Sequence, residues 1–312
     1  MSVKHSLIVP CYNEQDNVEL FLLEAKKAMS QAKGDYELIF VNDGSSDKTP
    51  ERLRKIFKEN KDTKIKVISF SRNFGKEAAM YAGFTYTDGE YITVIDADLQ
   101  QDFSYVLQME EILDENPDCD MVAAYQSERK ENKFISGCKS LFYKAINKMS
   151  DTKLIAEASD FRMMRRCVVE TILALPEYHR FSKGIFSWVG YNTVSIPYEV
   201  KQRVNGETKW SFAKLLRYAL EGIMAYTELP LKLPYYFSII MLVLSFVTGI
   251  IGLFASAVLF IASVIMFTGA VLSFLIGVLG SYIGKIHIQV KQRPIFIAKE
   301  ILTYEQNQRT DN

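Results

Sequence analysis

A chain of 312 residues is long enough to bury one large core or two modest ones. Its 37 Lys and Arg balance its 37 Asp and Glu, which excludes the basic footprint of a nucleic-acid binder. The four cysteines, Cys11, Cys119, Cys138 and Cys167, form no C-x-x-C pair, which excludes a zinc ribbon and gives no sign of a disulfide framework; reduced thiols fit a cytosolic catalytic part.

In chain order, Ser6-Leu7-Ile8-Val9-Pro10 reads as a buried strand that ends in Cys11-Tyr12-Asn13-Glu14. Its apolar run is too brief for a signal-peptide core. From Asp16 to Ala32 the spacing of Val18, Leu22, Ala25 and Met29 predicts a helix. Tyr36 to Val41 is a second strand, ending in Asn42-Asp43-Gly44-Ser45-Ser46-Asp47, and Pro50 to Asn60 a second helix. Ile65 to Ser69 is a third strand, followed by Ser71-Arg72-Asn73-Phe74-Gly75-Lys76 and a helix from Glu77 to about Thr85. Tyr91-Ile92-Thr93 then opens a fourth strand that stops abruptly in Asp96-Ala97-Asp98-Leu99-Gln100. Strands alternating with helices imply a doubly wound, mostly parallel α/β sheet, which gathers the polar loops at one edge.

Composition shifts after residue 232. From Leu233 to Gly284 there is no charged residue, a run of 52. One span needs about 20 apolar residues, so the run fits two spans and a turn; a buried helical pair in a soluble protein would tolerate charges this run lacks. Lys232 before it and Lys285, His287, Lys291 and Arg293 after it place both ends on the cytoplasmic side. The expected spans lie near residues 234–254 and 260–283, with the turn between Gly249 and Ser256. Just upstream, Phe212, Leu215, Leu216, Ala219, Leu220, Ile223 and Met224 share a helical stripe that excludes Lys214, Arg217 and Glu221. That pattern suits either a core-facing helix or one lying in the membrane interface, and the nearby Pro230 and first span favour the interface.

The loops carry the chemistry. Asp96 and Asp98, with Gln100 two further on, suit a hard divalent cation such as Mg²⁺ or Mn²⁺, which would hold a diphosphate; the plainer reading is a solvated acidic turn. Asp43 could accept hydrogen bonds from a base or ribose, or simply form the turn before Gly44. Glu14 could do the same or cap the following helix, and Lys76 could meet a phosphate or remain a solvated surface lysine. No Walker A loop and no G-x-G-x-x-G is present, which argues against a P-loop kinase and a Rossmann dehydrogenase.

Taken together, Val9-Pro10-Cys11-Tyr12-Asn13-Glu14, Val41-Asn42-Asp43-Gly44-Ser45-Ser46-Asp47, Arg72-Asn73-Phe74-Gly75-Lys76 and Asp96-Ala97-Asp98-Leu99-Gln100 resemble the family 2 GT-A glycosyltransferases. The resemblance is closer to the polyprenyl-phosphate glycosyltransferases and runs through Ser159-Asp160-Phe161-Arg162, Phe181-Ser182-Lys183-Gly184, Arg203 to Ser211, and the tail Gly280 to Lys285 with Arg293-Pro294. It implies a GT-A catalytic domain over 1–210, an amphipathic helix over 211–232, two transmembrane helices within 233–284 and a cytoplasmic tail over 285–312. It further implies that Pro10, Tyr12, Glu14 and Asp43 hold the nucleoside. Asp96 would orient the ribose or sugar, and Asp98 and Gln100 would bind Mg²⁺ or Mn²⁺. Asp160 would sit near the transferred sugar and the acceptor, as a positioning group more than as a base. Arg129, Arg203 and Lys209 would face phosphates; where relatives carry two arginines three apart this chain has Gln126 and Arg129, so Lys130, Lys133 or Lys139 could rebuild that clamp.

The activity so implied is inverting transfer of a monosaccharide, from UDP-glucose or UDP-N-acetylglucosamine, to undecaprenyl phosphate at the cytoplasmic face of the cell membrane. A homo-oligomer, a separate flippase and a downstream transferase are the implied partners. The rival readings are a processive polysaccharide synthase, against which the lack of Gln-x-x-Arg-Trp and of further spans counts, and a non-catalytic, membrane-tethered nucleotide-sugar-binding protein.

Overall fold

The computed structural model describes residues 3–126, 158–178, 180–199 and 257–304. Its first half follows the alternation expected: β1 (His5–Cys11), α1 (Val18–Met29), β2 (Tyr36–Asn42), α2 (Thr49–Glu59), β3 (Lys64–Phe70), α3 (Lys76–Thr85), β4 (Tyr91–Val94) and α4 (Ser104–Glu115). There follow β5 (Met121–Gln126), β6 (Ala158–Arg165), α5 (Arg166–Ala174), α6 (Ser182–Trp188), β7 (Thr193–Tyr198), α7 (Ala257–Val290) and β8 (Ala298–Leu302). β1 to β3 are buried almost throughout, as near-continuous apolar runs require when helices cover both faces. α1 presents Val18, Phe21, Leu22, Ala25 and Met29 to the core, where Phe21 meets Phe40 and Phe103 edge-on.

The eight strands form one sheet in the order β7-β5-β6-β4-β1-β2-β3-β8. The central four are parallel, as expected. The sheet as a whole is mixed, because β6 runs antiparallel to both β4 and β5, and β8 runs antiparallel to β3. β1 lies between β4 and β2, so the chain winds outward from it in both directions. The carboxyl ends of β1, β2 and β4 therefore flank a topological switch point, the place where open α/β sheets bind ligands.

β8 departs from the expected tail over 285–312. Leu302, Ile301 and Glu300 pair with Val67, Ile68 and Ser69, the Phe296 ring stacks on Phe70 at 5.0 Å, and Glu300 accepts from Arg54 at 2.8 Å. A five-residue strand containing Lys299 and Glu300 gives too weak an alternation to be read from sequence. It covers what would otherwise be the exposed edge of β3.

The described residues fall into two compact units, one holding the sheet with α1 to α6 and the other holding α7. α7 contains the expected second span, 260–283, and continues to Val290, past Lys285 and His287. Its segment Phe267–Val290, 24 residues, is the one helix among the described residues long and apolar enough to cross a membrane. The expected first span, the interfacial helix, Arg129, Arg203, Lys209, Lys130, Lys133 and Lys139 lie outside the described residues.

Candidate active site

Asp43 directly follows β2 and is 3% exposed. Its carboxylate accepts the N–H of Phe74 at 2.7 Å and of Gly75 at 3.0 Å, so it clamps the loop after β3. Gly44 beside it has φ +61, and a Cβ there would lie 2.2 Å from the carbonyl carbon of Arg72, so only glycine lets the two loops touch. Burial pushes the Asp43 carboxyl up to about 6, against the two amide donors and the charge of Arg72.

The β1 loop is laced to the same place. Asn13, at φ +56, accepts the Ser46 N–H through its side chain and donates its own N–H to Ser45 Oγ. The Glu14 N–H donates to Thr49 Oγ1, and its carboxylate accepts Asn17 Nδ2 at 2.6 Å, just before α1. Pro10 is partly buried in β1 and Tyr12 is exposed beyond it.

Beyond β4, Asp96 is held by Gln101, which accepts its N–H at 2.9 Å and donates to Asp96 Oδ2 at 3.2 Å. Leu99 takes φ +59, an uncommon conformation for a leucine, and Asp98 Oδ1 accepts the Gln100 N–H at 3.2 Å. The antiparallel register of β4 and β6 pairs Val94 with Arg162, and continued two residues it sets Asp96 opposite Asp160. Lys76, the first residue of α3, joins them: its Nζ lies 2.7 Å from Asp96 Oδ1 and 2.9 Å from Asp160 Oδ2.

The sequence thus placed Lys76, Asp96 and Asp160 in separate motifs, and the fold brings all three into contact. Lys76 is not a freely solvated surface lysine: two of its three donors serve carboxylates. Burial would raise the Asp160 carboxyl, but Lys76 and then Lys183 hold it at about 2. Burial likewise opposes the charge on Lys76, yet Asp160 and Asp96 carry its pKa above the usual lysine range.

Four neighbours carried no role in the sequence reading. Arg162, 2% exposed, lies 3.7 Å over the Phe186 ring and donates to the Ser159 carbonyl at 2.7 Å; burial lowers it to about 10 while Asp160 and Glu77 keep it charged. Glu77 accepts both the N–H and the Oγ–H of Ser182, and burial, then the charge of Asp160, raises its carboxyl to about 7. Lys183, next to Ser182, contributes its charge to Asp160. The motifs containing Arg162, Ser182 and Lys183 were visible; their convergence on Asp160 was not.

For a divalent cation the donor chemistry fits, but sparsely. Among the described residues there is no group of three His, Cys, Asp or Glu side chains that could hold a metal. Asp96 is already shared by Lys76 and Gln101, which leaves Asp98, with Gln100 beside it, as the hard oxygen donors, and the remaining ligands would be diphosphate and water.

The profile of Glycosyl transferase family 2 matches residues 6–173, and the chain belongs to that family. It is a transferase enzyme, with a GT-A-like mixed α/β sheet. The protein CsbB of Bacillus subtilis (strain 168), named as a glycosyltransferase with no stated substrate, is 39% identical over 95% of this chain and 91% of its own length. The SfII prophage-derived bactoprenol glucosyl transferase of Shigella flexneri is 36% identical over 96% of this chain and 98% of its own length. Among solved structures, mannosyl-3-phosphoglycerate synthase from Rubrobacter xylanophilus is similar with a TM-score of 0.48 and 17% identity, over 72% of each chain.

Proposed function

We propose that this transferase moves a monosaccharide, with inversion, from a UDP-sugar to undecaprenyl phosphate at the cytoplasmic face of the cell membrane. The observation that carries the reading is the end-to-end similarity to a bactoprenol glucosyl transferase, in a chain whose Asp96, Lys76 and Asp160 meet at the switch point. UDP-glucose and UDP-N-acetylglucosamine are the favoured donors. Incubating the full-length protein with labelled donors and undecaprenyl phosphate tests it, and a lipid-linked monosaccharide is the product expected.

In this reading Pro10, Tyr12, Glu14 and Asp43 surround the nucleoside, and Asp98 with Gln100 holds the Mg²⁺ or Mn²⁺. The cation would supply charge neutralisation for the leaving diphosphate. Lys76 fixes Asp96 against Asp160, so that sugar-side and acceptor-side carboxylates keep one spacing. The acceptor phosphate oxygen is already ionised, so Asp160, held well below the usual carboxylate range, orients groups and takes no proton. Arg129, Arg203 and Lys209 supply cations for the crowded phosphates. A homo-oligomer, a flippase and a downstream transferase complete the proposed setting.

Asp43 gives a pH dependence. Its folded value of about 6 lies above the ordinary 3.8, so its contribution to stability is complete below 3.8 and is lost as pH rises through about 6. A nucleoside donor group that requires the ionised carboxylate reverses the preference on binding. Calorimetric titration with UDP should therefore show affinity falling as pH drops through about 6, approaching roughly tenfold per unit. Asp43→Asn should flatten that profile; a profile unchanged by the substitution would leave Asp43 only the turn it holds.

Strand pairing supports the proposed membrane topology. The chain leaves the sheet after β7 and rejoins it at β8, as a membrane segment crossing an even number of times would allow. This supports a two-span hairpin with both ends on the catalytic side, as do the basic flanks. Cysteine-accessibility labelling of intact cells should mark a cysteine placed at Ala255 from outside and not one placed at Asn312. External labelling at Asn312 would sink the hairpin.

A further inference from the structure

Six charged groups converge at the open end of β4 and β6: the carboxylates of Asp96, Asp160 and Glu77, and the cations Lys76, Arg162 and Lys183. Arg162 is buried, whereas Lys76, Asp96 and Asp160 remain partly exposed. Asp96, Asp160 and Lys76 already have places in the transfer reaction. Glu77 does not, and its contacts differ from those of a surface residue at the start of a helix. It sits one position after Lys76 in the first turn of α3, yet both its carboxylate bonds reach 105 residues along the chain, to the N–H and the hydroxyl of Ser182. Ser182 opens α6, and Lys183 follows it. The carboxylate therefore ties together the two backbone segments that deliver the two lysine charges on Asp160.

We propose that Glu77 is a positioning residue for the transfer step: through Ser182 it sets the start of α6, and with it Lys183, against the Lys76–Asp160 pair. The inference rests on the glycosyl-transfer reading above. The reason a carboxylate is used follows from the donors. Ser182 presents two, a backbone N–H shared by Oε1 and Oε2 and an Oγ–H on Oε2, so both carboxyl oxygens are engaged, whereas an amide would turn an N–H donor toward them in place of one oxygen. Burial and the charge of Asp160 raise the Glu77 carboxyl to about 7, and the two Ser182 donors and then the Lys76 charge oppose that rise.

The test uses the full-length protein in membranes, with Glu77→Gln, Ser182→Ala and the double variant. Each is assayed for kcat, for the acceptor and donor KM, for UDP affinity by calorimetry and for Tm. Glu77→Gln should lower kcat about tenfold or more with UDP affinity changed less than about twofold and Tm nearly kept. The double variant should be no slower than Glu77→Gln alone, because both substitutions break one linkage. Glu77→Asp, which keeps both acceptor oxygens, should recover part of the rate if the shorter arm still reaches Ser182. Unchanged kcat in Glu77→Gln, or losses that multiply in the double variant, would overturn the proposal. Should Glu77→Gln fail to fold, Ser182→Ala carries the same test, since unchanged kcat there overturns it equally. Absence of lipid-linked sugar with the wild-type protein would instead remove the transfer reading on which the proposal stands.

Discussion

Replacing Lys76 with methionine is expected to abolish sugar transfer and to lower stability, with the stability loss visible without substrate. Lys76 contacts both Asp96 and Asp160, at 2.7 and 2.9 Å. Methionine fills similar space and removes the charge, leaving Asp160 largely buried against Asp96 with one of its two lysines gone. Removing one partner of a fully buried pair costs about 3–5 kcal/mol. Lys76 keeps 38% of its side chain exposed, so water offsets part of that cost and the loss should be about 1–2 kcal/mol. Carboxylate repulsion should also raise the Asp160 carboxyl from its value of about 2 toward the ordinary range. Its contribution to stability, present above 3.8 and lost as pH falls through about 2 in the intact protein, would then be lost at higher pH. Thermal unfolding across pH, paired with the transfer assay, checks both parts. Wild-type activity in Lys76→Met would show that the bridge is only a resting contact.

Asp98→Ala is expected to separate the two effects, abolishing transfer while leaving the fold nearly untouched. Asp98 sits in the loop after β4, partly exposed, with a hydrogen bond from the Gln100 N–H inside its own turn. A cation on a leaving diphosphate is worth several kcal/mol in the transition state, and each 1.36 kcal/mol is tenfold in rate, so a fall of roughly 10²–10⁴ in kcat is expected. A change at such a surface loop ordinarily stays within about 0.5 kcal/mol of stability. Excess EDTA should silence the wild-type protein to the same level. Full activity of Asp98→Ala, or undiminished turnover in EDTA, would remove the metal assignment.

Legibility differed by the range of the interaction. The strands β1 to β4 were readable because buried parallel strands are continuous apolar runs, and the loops Tyr12 to Glu14, Asn42 to Asp47 and Asp96 to Gln100 were readable as polar punctuation at their ends. The pairing of Asp96 with Asp160 was not, because it depends on β6 lying antiparallel beside β4, and nothing local encodes that neighbour. The same holds for Glu77 with Ser182, linked across 105 residues, and for Lys76, whose two partners are themselves far apart in sequence. β8 was hidden differently: Ala298–Leu302 is short, carries Lys299 and Glu300, and takes its strand form from the open edge of β3.

Lipid extraction after incubation of the full-length, membrane-embedded protein with radiolabelled UDP-glucose, UDP-N-acetylglucosamine or GDP-mannose and undecaprenyl phosphate tests the proposed reaction most directly. The expected result is a lipid-soluble monosaccharide carried by undecaprenyl phosphate, formed from one of the two UDP-sugars. A polymeric product, or nucleotide binding with no lipid-linked sugar from any donor, would contradict it.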